Sequence, residues 1–233
     1  MKSIVIKFGG SLMYKDGLQL NLPVLEKVKA WYKDNKSKYD KLCIVVGGGK
    51  LSREVVNEVD GHVKKDDDRH SIAMELTQTN AMILRGYLGD SSIVCPETLG
   101  DAYEALTDDF TKVIISGGLR RGWSTDMDAS LFADVLELKK VYKLSNIDYV
   151  YDKDPFEFKN AKPILNTTWA KYKKHFGIGV NQKHKPNLHI PISAETTTFC
   201  ENKGISFFVS GGSMFKTKWN LGRIFEAGTF IHP

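Results

Sequence analysis

The chain of 233 residues carries 33 Lys and Arg against 28 Asp and Glu, a formal net charge of +5, and is 42% hydrophobic and 26% charged. This composition is typical of a soluble globular domain and argues against a disordered chain. No apolar run approaches the ~20 residues of a membrane span, and the small, evenly mixed charge does not predict nucleic-acid binding. A mildly basic field favours an anionic ligand such as a nucleotide.

The three cysteines indicate a reducing compartment. Cys43, Cys95 and Cys200 are odd in number, lie far apart and lack Cys-x-x-Cys spacing, so we expect free thiols and no metal site built from them. The first residues, Met1 to Lys7, read as a charged strand and not as a signal peptide. Cytoplasmic localisation is the resulting expectation.

Short apolar runs alternate with amphipathic segments along the chain. In the first half of the chain, the predicted elements are a strand at 4–8, a helix capped by Asn21, a strand at 42–46, helices at 50–60 and 69–88, a strand at 93–95, a helix at 102–106 and a strand at 113–115. A helix at 125–136, capped by Thr125 with Asp128, a strand at 141–144 and a loop or hairpin at 148–163 follow. The last third is predicted to contain helices at 168–175 and 192–203, a strand at 206–209, a helix at 218–225 and a strand at 228–232. Such alternation predicts an α/β fold with a mainly parallel sheet covered by helices on both faces.

Three of the predicted strands end in glycine clusters, at Gly9-Gly10, Gly47-Gly48-Gly49 and Gly117-Gly118. Glycine lets the backbone approach a ligand closely and point N–H groups at phosphate oxygens. Ligands of parallel sheets bind at the carboxyl ends of the strands, where these clusters fall. None of the three fits the P-loop or the Gly-x-Gly-x-x-Gly pattern, so a different phosphate site is indicated.

The ordered motifs resemble the amino acid kinase superfamily, and within it the archaeal-type uridylate (UMP) kinases. The resemblance runs nearly end to end and rests on the segments 7–11, 47–53, 117–126, 145–155 and 228–231, of which Asn-x-Asp-x-Val-Tyr-x-x-Asp-Pro at 146–155 is the most specific. It implies one amino acid kinase domain over 1–233 with the carbamate kinase-like fold, a three-layer αβα sandwich. Residues 1–140 would form an acceptor-nucleotide lobe and residues 141–233 an ATP-binding lobe.

The resemblance also implies the reaction, which is direct transfer of the ATP γ-phosphoryl group to UMP in pyrimidine biosynthesis. It implies that Mg²⁺ binds together with ATP, and we assign no protein residue as a metal ligand. The assembly that it implies is a homo-oligomer, a hexamer. Lys7 matches the lysine that touches the transferring group, and Asp126 matches an acid that holds this lysine. The residues matching ATP positions are Gly9, Gly10, Ser11, Gly49, Arg53, Ser145, Asn146, Tyr151 and Asp154. Those assigned to the acceptor are Gly48, His70, Leu119, Arg120, Arg121, Gly122, Trp123, Ser124 and Thr125.

Each assignment has a simpler structural alternative. Lys7 could be a strand-flanking surface lysine, and Arg53 could form a helix-surface salt bridge. Thr125 could serve purely as a helix cap, Asp126 could be a first-turn acid favoured by the helix dipole, and Tyr151 could be plain packing.

The chain departs from the UMP-kinase pattern at several positions. His70 stands where an Asp usually binds the acceptor ribose, and a neutral His offers one acceptor and one donor where Asp accepts two hydroxyl protons. Asp66, Asp67 and Asp68 nearby are candidates to replace that Asp by a shift of register. Further departures are Arg120-Arg121 in place of a proline, Tyr149 in place of a glycine, Ser145 in place of a threonine, and the segment 177–189.

Two other functions stay open from the sequence. One is a superfamily kinase with a carboxylate or isoprenoid phosphate acceptor, although Lys50 to Arg53 lack the histidine that isopentenyl phosphate kinases place after the triple-glycine turn. The other is a non-catalytic nucleotide-binding or storage protein, against which Lys7, Asp126 and Asp154 argue together.

Overall fold

The structure is a computed structural model, and it describes residues 2–15, 18–179, 190–211 and 227–233. Nine strands and seven α-helices occur in these ranges. In chain order they are β1 (Ser3–Phe8), α1 (Leu22–Asn35), β2 (Lys41–Val46), α2 (Gly49–Val59), α3 (Asp66–Leu88), α4 (Leu99–Thr107), β3 (Val113–Ser116), α5 (Thr125–Val135), β4 (Lys140–Leu144), β5 (Val150–Tyr151), β6 (Pro163–Ile164), β7 (Asn166–Thr168), α6 (Trp169–His175), α7 (Ala194–Lys203), β8 (Ser206–Ser210) and β9 (Thr229–His232).

Seven strands form the central sheet in the order β3-β2-β1-β4-β8-β9-β7, and every pairing except β8 with β9 is parallel. Because alternate side chains of a strand point to opposite faces, β1 and β2 contribute to two separate cores. One core packs α1 and α3 against the sheet, and the other packs α4, α5, α6 and α7. The predicted three-layer αβα sandwich with a mainly parallel sheet is confirmed.

Most predicted elements are present, with small shifts of their ends. Gly89 ends α3 in the left-handed conformation at φ 69°, as a C-terminal glycine should, and the 148–163 segment contains the antiparallel pair β5–β6. The predicted helix at 218–225 lies outside the described residues. No helix in the described ranges is both long and apolar enough to cross a bilayer.

One predicted strand is wrong, and one observed strand was not predicted. Residues 93–95 make only an isolated parallel bridge between Val94 and Ile114, and the following Pro96 cannot donate to a longer ladder. Conversely, β7 pairs with β9 at the far edge of the sheet, although its sequence Asn-Thr-Thr is polar and carries no apolar alternation.

A buried amide fixes the turn after β2. Asn80 on α3 is fully buried, and its side chain donates to the carbonyl oxygens of Gly47 (2.9 Å) and Gly48 (3.0 Å) and accepts from the Tyr14 hydroxyl (2.6 Å). The helix thereby holds a glycine turn that has no side chains of its own for packing.

We expect Asn80→Ala to lower the free energy of unfolding by about 2–4 kcal/mol, because three hydrogen bonds disappear and buried polar groups lose their partners. Urea denaturation measures the change. Thr79→Ala, an exposed neighbour on the same helix, is the control and should stay within about 0.5 kcal/mol of wild type. An equal, small effect of both variants would contradict the role given to Asn80.

Candidate active site

The three glycine clusters meet at one edge of the sheet. They follow β1, β2 and β3, which are neighbouring parallel strands, so their carboxyl ends lie side by side. The Gly9 N–H donates to Leu144 at the end of β4 (2.8 Å), and the Gly47 N–H donates to Phe8 at the end of β1 (2.9 Å). The sequence prediction that these turns share one edge is therefore confirmed.

The first two turns touch each other through bare backbone. A β-carbon on Gly10 would collide with the Gly47 carbonyl oxygen, and one on Gly49 would collide with the backbone of Gly10. Gly49 also has φ +60°, which side-chain-bearing residues rarely adopt. Glycine is required at both positions by this close approach.

Two cavities open on this edge. The large cavity, about 880 Å³, is lined by Lys7, Gly9, Gly10, Ser11, Gly47, Gly48, Gly49, Arg53, Thr125, Lys143, Ser145, Asn146, Ile147, Tyr151, Lys153, Asp154, Pro155, Phe156, Glu157, Phe176, Ile190 and Pro191. The small cavity, about 240 Å³, is lined by Gly48, Gly49, Ser52, Arg53, Val56, His70, Ala73, Met74, Thr77, Gly118, Gly122, Trp123, Ser124 and Thr125. They share Gly48, Gly49, Arg53 and Thr125, so they adjoin.

Lys7, Asp126 and Lys143 form a buried charge cluster beside this junction. Lys143 Nζ lies 2.6 and 2.8 Å from the two Asp126 carboxylate oxygens and also donates to the Pro191 carbonyl. Lys7 Nζ lies 3.9 Å from Asp126 Oδ1. All three side chains are at most 10% exposed. Two cations therefore share one anion, which leaves a net positive charge near the glycine turns.

Burial lowers the pKa of Lys7 from 10.5 to about 8; the Asp126 carboxylate opposes this shift, and the charges of Lys143 and Arg53 add to it. The Lys7 ammonium is thus poorly compensated inside the protein. An incoming phosphate would supply the missing negative charge.

The residues predicted for ATP all line the large cavity. This set comprises Gly9, Gly10, Ser11, Gly49, Arg53, Ser145, Asn146, Tyr151 and Asp154, together with the predicted catalytic Lys7. Asp126 is not in the lining and acts from behind it through the two lysines.

Only some of the residues predicted to bind the acceptor lie together in the small cavity. The small cavity includes Gly48, His70, Gly122, Trp123, Ser124 and Thr125. Leu119 is buried in the core under the sheet, and Arg120 and Arg121 are exposed outside the lining. Arg120 instead lies over the Trp123 ring, 4.4 Å from its centroid. Asp66, the first of the three neighbouring acids, pairs with Arg69 outside both cavities.

The predicted helix cap at Thr125 is wrong by one residue. Ser124 is the N-cap of α5, and its hydroxyl accepts from the Met127 N–H at 3.3 Å. The Ser124 N–H donates to Glu195 of α7 (3.3 Å), and the Ser124 hydroxyl contacts that of Ser193 (2.7 Å). This frees the Thr125 side chain from capping, and Thr125 borders both cavities.

Lys143 is the main residue that the sequence analysis missed. It pairs in register with Lys7 across the parallel strands β1 and β4, and this register brings the two ammonium groups to the same carboxylate. A lysine inside an otherwise apolar strand, Val-Tyr-Lys-Leu, was the available signal. The aromatic rings of Phe156 and Phe176 in the large cavity were missed as well.

A family model described as the amino acid kinase family matches residues 2–210. The chain belongs to the amino acid kinase family. Among its relatives, the uridylate kinase of Thermococcus onnurineus is 31% identical and that of Staphylothermus marinus 28% identical, each over 235 residues covering 99% of both chains.

This amino acid kinase has the fold of two solved structures. The uridylate kinase of Archaeoglobus fulgidus superposes with a TM-score of 0.71 at 23% identity, covering 99% of this chain and 100% of that one. The UMP kinase of Ureaplasma parvum gives a TM-score of 0.75 at 18% identity, covering 100% and 99%.

We expect Lys7→Met to raise the free energy of unfolding at pH 7 by about 1–3 kcal/mol, because it removes a buried ammonium whose pKa is lowered to about 8. Since folded wild type loses the Lys7 proton before the unfolded chain does, wild-type stability rises between about pH 8 and 10.5. The advantage of the variant should therefore shrink at pH 9.5. Denaturation at both pH values tests this, with exposed Lys171→Met as the control. A variant less stable than wild type at pH 7 would contradict the account.

Proposed function

We propose that this chain transfers the γ-phosphoryl group of ATP to UMP, forming ADP and UDP by direct in-line displacement. The observation that carries the proposal is the meeting of a large and a small cavity at four shared residues beside Lys7. Two phosphorylated ligands seated there would face each other end to end. Relatives of matching length named uridylate kinase support UMP as the acceptor.

The large cavity suits ATP. Its glycine turns offer backbone N–H groups for phosphate oxygens near Lys7, and its lining also includes the aromatic rings of Tyr151, Phe156 and Phe176, which suit a base. The lining therefore combines polar groups for phosphates with aromatic groups for a base.

The small cavity suits a nucleoside monophosphate. Arg53 stands at the shared wall, where a guanidinium can hold a phosphate in a bidentate manner. Farther from the large cavity, Trp123 offers a ring for a base, with Met74 and Val56 in the same lining. The lining residues in the described ranges include no carboxylate, which is consistent with an anionic acceptor.

The catalytic work is mainly electrostatic. In a loose phosphoryl-transfer transition state, charge is spread over the equatorial oxygens, and a fixed cation stabilises it. Lys7 is this cation in our proposal. Asp126 is a positioning residue, because it pairs with Lys7 from outside both cavity linings. Lys143 fixes Asp126 and itself lines the large cavity. No covalent enzyme intermediate is involved.

Mg²⁺ enters with ATP in this proposal. Within the described ranges no group of three His, Cys, Asp or Glu side chains could hold a metal ion, whereas Asp154 and Glu157 both belong to the lining of the large cavity. The metal would then be held chiefly by phosphate oxygens, whose negative charge it neutralises when bound.

The organisation of the chain is part of the same proposal. The small cavity is lined by residues 48–125 alone, whereas the large cavity is lined both by residues of the range 7–125 and by residues of the range 143–191. The exclusive use of 143–191 by the large cavity supports an acceptor lobe at 1–140 and an ATP lobe at 141–233. We further propose a cytoplasmic homo-oligomer, a hexamer by family resemblance, that serves pyrimidine biosynthesis. Sedimentation of the purified chain tests the assembly, and a monomer would contradict it.

The acceptor is tested by following ADP release from ATP with UMP, CMP, aspartate, glutamate or isopentenyl phosphate present. We expect UMP to stimulate ADP release most strongly. If UMP gives no stimulation, the proposed function fails, and stimulation by another compound would identify the acceptor.

We expect Lys7→Ala to lower kcat by on the order of 10²–10³, because one fixed donor to the transition state is lost. The rate is measured with ATP and UMP saturating, and Lys171→Ala serves as the matched surface lysine. Turnover close to wild type in Lys7→Ala would remove Lys7 from the mechanism.

A further inference from the structure

The small cavity has a direction that α3 defines. Its lining includes His70, Ala73, Met74 and Thr77, whose helical spacing places them on one face of α3. Thr77 lies at the glycine turn, because a β-carbon built on Gly48 would be 3.4 Å from Thr77 Cγ2. His70 lies seven positions earlier, which is about 10 Å along the helix axis at about 1.5 Å per residue. The cavity wall therefore extends from the glycine turn to an end beside His70.

The turn at 120–123 lies beside His70. A β-carbon built on Gly122 would be 3.7 Å from His70 Nδ1, and Gly122 has φ +76°, a conformation that favours glycine. The Trp123 N–H donates to the Arg120 carbonyl oxygen at 3.2 Å, which closes the turn. Gly122 and the half-buried Trp123 both line the small cavity. The turn thus supplies the cavity with an aromatic ring.

Arg120 covers one face of this ring from outside the cavity. Its guanidinium carbon lies 4.4 Å from the centroid of the Trp123 ring, a distance typical of a cation–π contact. Arg120 is exposed and does not belong to the lining of either cavity. Because a ring has two faces, the face opposite the guanidinium stays available to a ligand. Arg120 therefore acts on a ligand of the small cavity only through Trp123.

The Trp123 ring is the large flat surface that the small cavity offers to a base. Among the described residues the lining includes no Phe or Tyr. Planar bases stack on aromatic side chains, because both partners have extended π-faces. A guanidinium on the outer face keeps the ring in one orientation, since rotation of the ring would break the cation–π contact. The contact thus prepares the ring before the ligand binds.

We propose that Arg120 is a positioning residue for the acceptor, because its guanidinium holds the Trp123 ring in the orientation in which the opposite face stacks on the acceptor base. The inference rests on the proposed function, which places UMP in the small cavity. The neighbouring Arg121 is equally charged and also exposed, but it makes no such contact with a ring in the described ranges. The two arginines should therefore differ in their effect on UMP binding.

The test measures the affinity for UMP by titration calorimetry without ATP. Arg120→Ala should weaken UMP binding about three- to fivefold, since an exposed cation–π contact is lost. Arg121→Ala removes the same charge from the next residue and is the matched control, which should stay within about twofold of wild type. Ribose 5-phosphate, which lacks the base, is measured by its displacement of UMP. Its affinity should be the same for Arg120→Ala and wild type.

A double-mutant cycle shows whether Arg120 acts through Trp123. Trp123→Ala should weaken UMP binding about tenfold or more, because base stacking is lost. Adding Arg120→Ala to this variant should change the affinity by less than about twofold, since the two residues then no longer interact. Trp123→Phe keeps a ring, and in that background Arg120→Ala should still weaken UMP binding. Thermal melting verifies that each variant folds.

Three results would overturn the inference: equal effects of Arg120→Ala and Arg121→Ala, an equal loss of affinity for UMP and ribose 5-phosphate, or additive effects of Arg120→Ala and Trp123→Ala. The kinase function is untouched by any of them. If wild type binds no UMP, the proposed function and the inference both fail. If wild type binds UMP but UMP does not stimulate ADP release, the proposed function alone fails, and the cycle still decides the role of Arg120.

Discussion

The structure depends on one electrostatic constraint, the sharing of Asp126 by two buried lysines. Lys143 makes the close contacts at 2.6 and 2.8 Å, and Lys7 stays 3.9 Å away, so Lys7 is oriented without being neutralised. The parallel pairing of β1 with β4 sets this geometry, since Lys7 and Lys143 are register partners. Burying an uncompensated cation destabilises a fold, and such strain is found where a site is prepared for a ligand of opposite charge.

The glycine turns add backbone N–H groups to this buried charge cluster. Their mutual approach excludes side chains at Gly10 and Gly49, which brings N–H groups and the Lys7 ammonium to one junction. Asn80 supports the turn from α3, and Ser124 with Glu195 supports the start of α5. The site is thus held by elements from both layers of helices, and its two cavities can bind two different ligands.

Much of the fold and of the candidate site could be predicted from local sequence. The glycine clusters after apolar runs located the edge of the sheet, and the ordered motifs identified the family and those residues of the large cavity that were predicted to bind ATP. Features that depend on pairing between distant segments could not be read in this way. Lys143 matters because of its register with Lys7. Ser124, and not Thr125, caps α5, and its hydroxyl contacts Ser193 and Thr196 at the start of α7. Asp128 resembled a capping residue, yet its side chain is buried behind Gly118.

The central claim is that the two cavities hold two phosphate chains end to end. Its most direct test is calorimetric titration with a bisubstrate analogue, adenosine and uridine joined through five phosphates. We expect one analogue to bind per chain, and saturating ATP or saturating UMP should each compete with it. Competition by ATP alone, with UMP still able to bind beside the analogue, would show that the cavities do not face each other and would contradict the account.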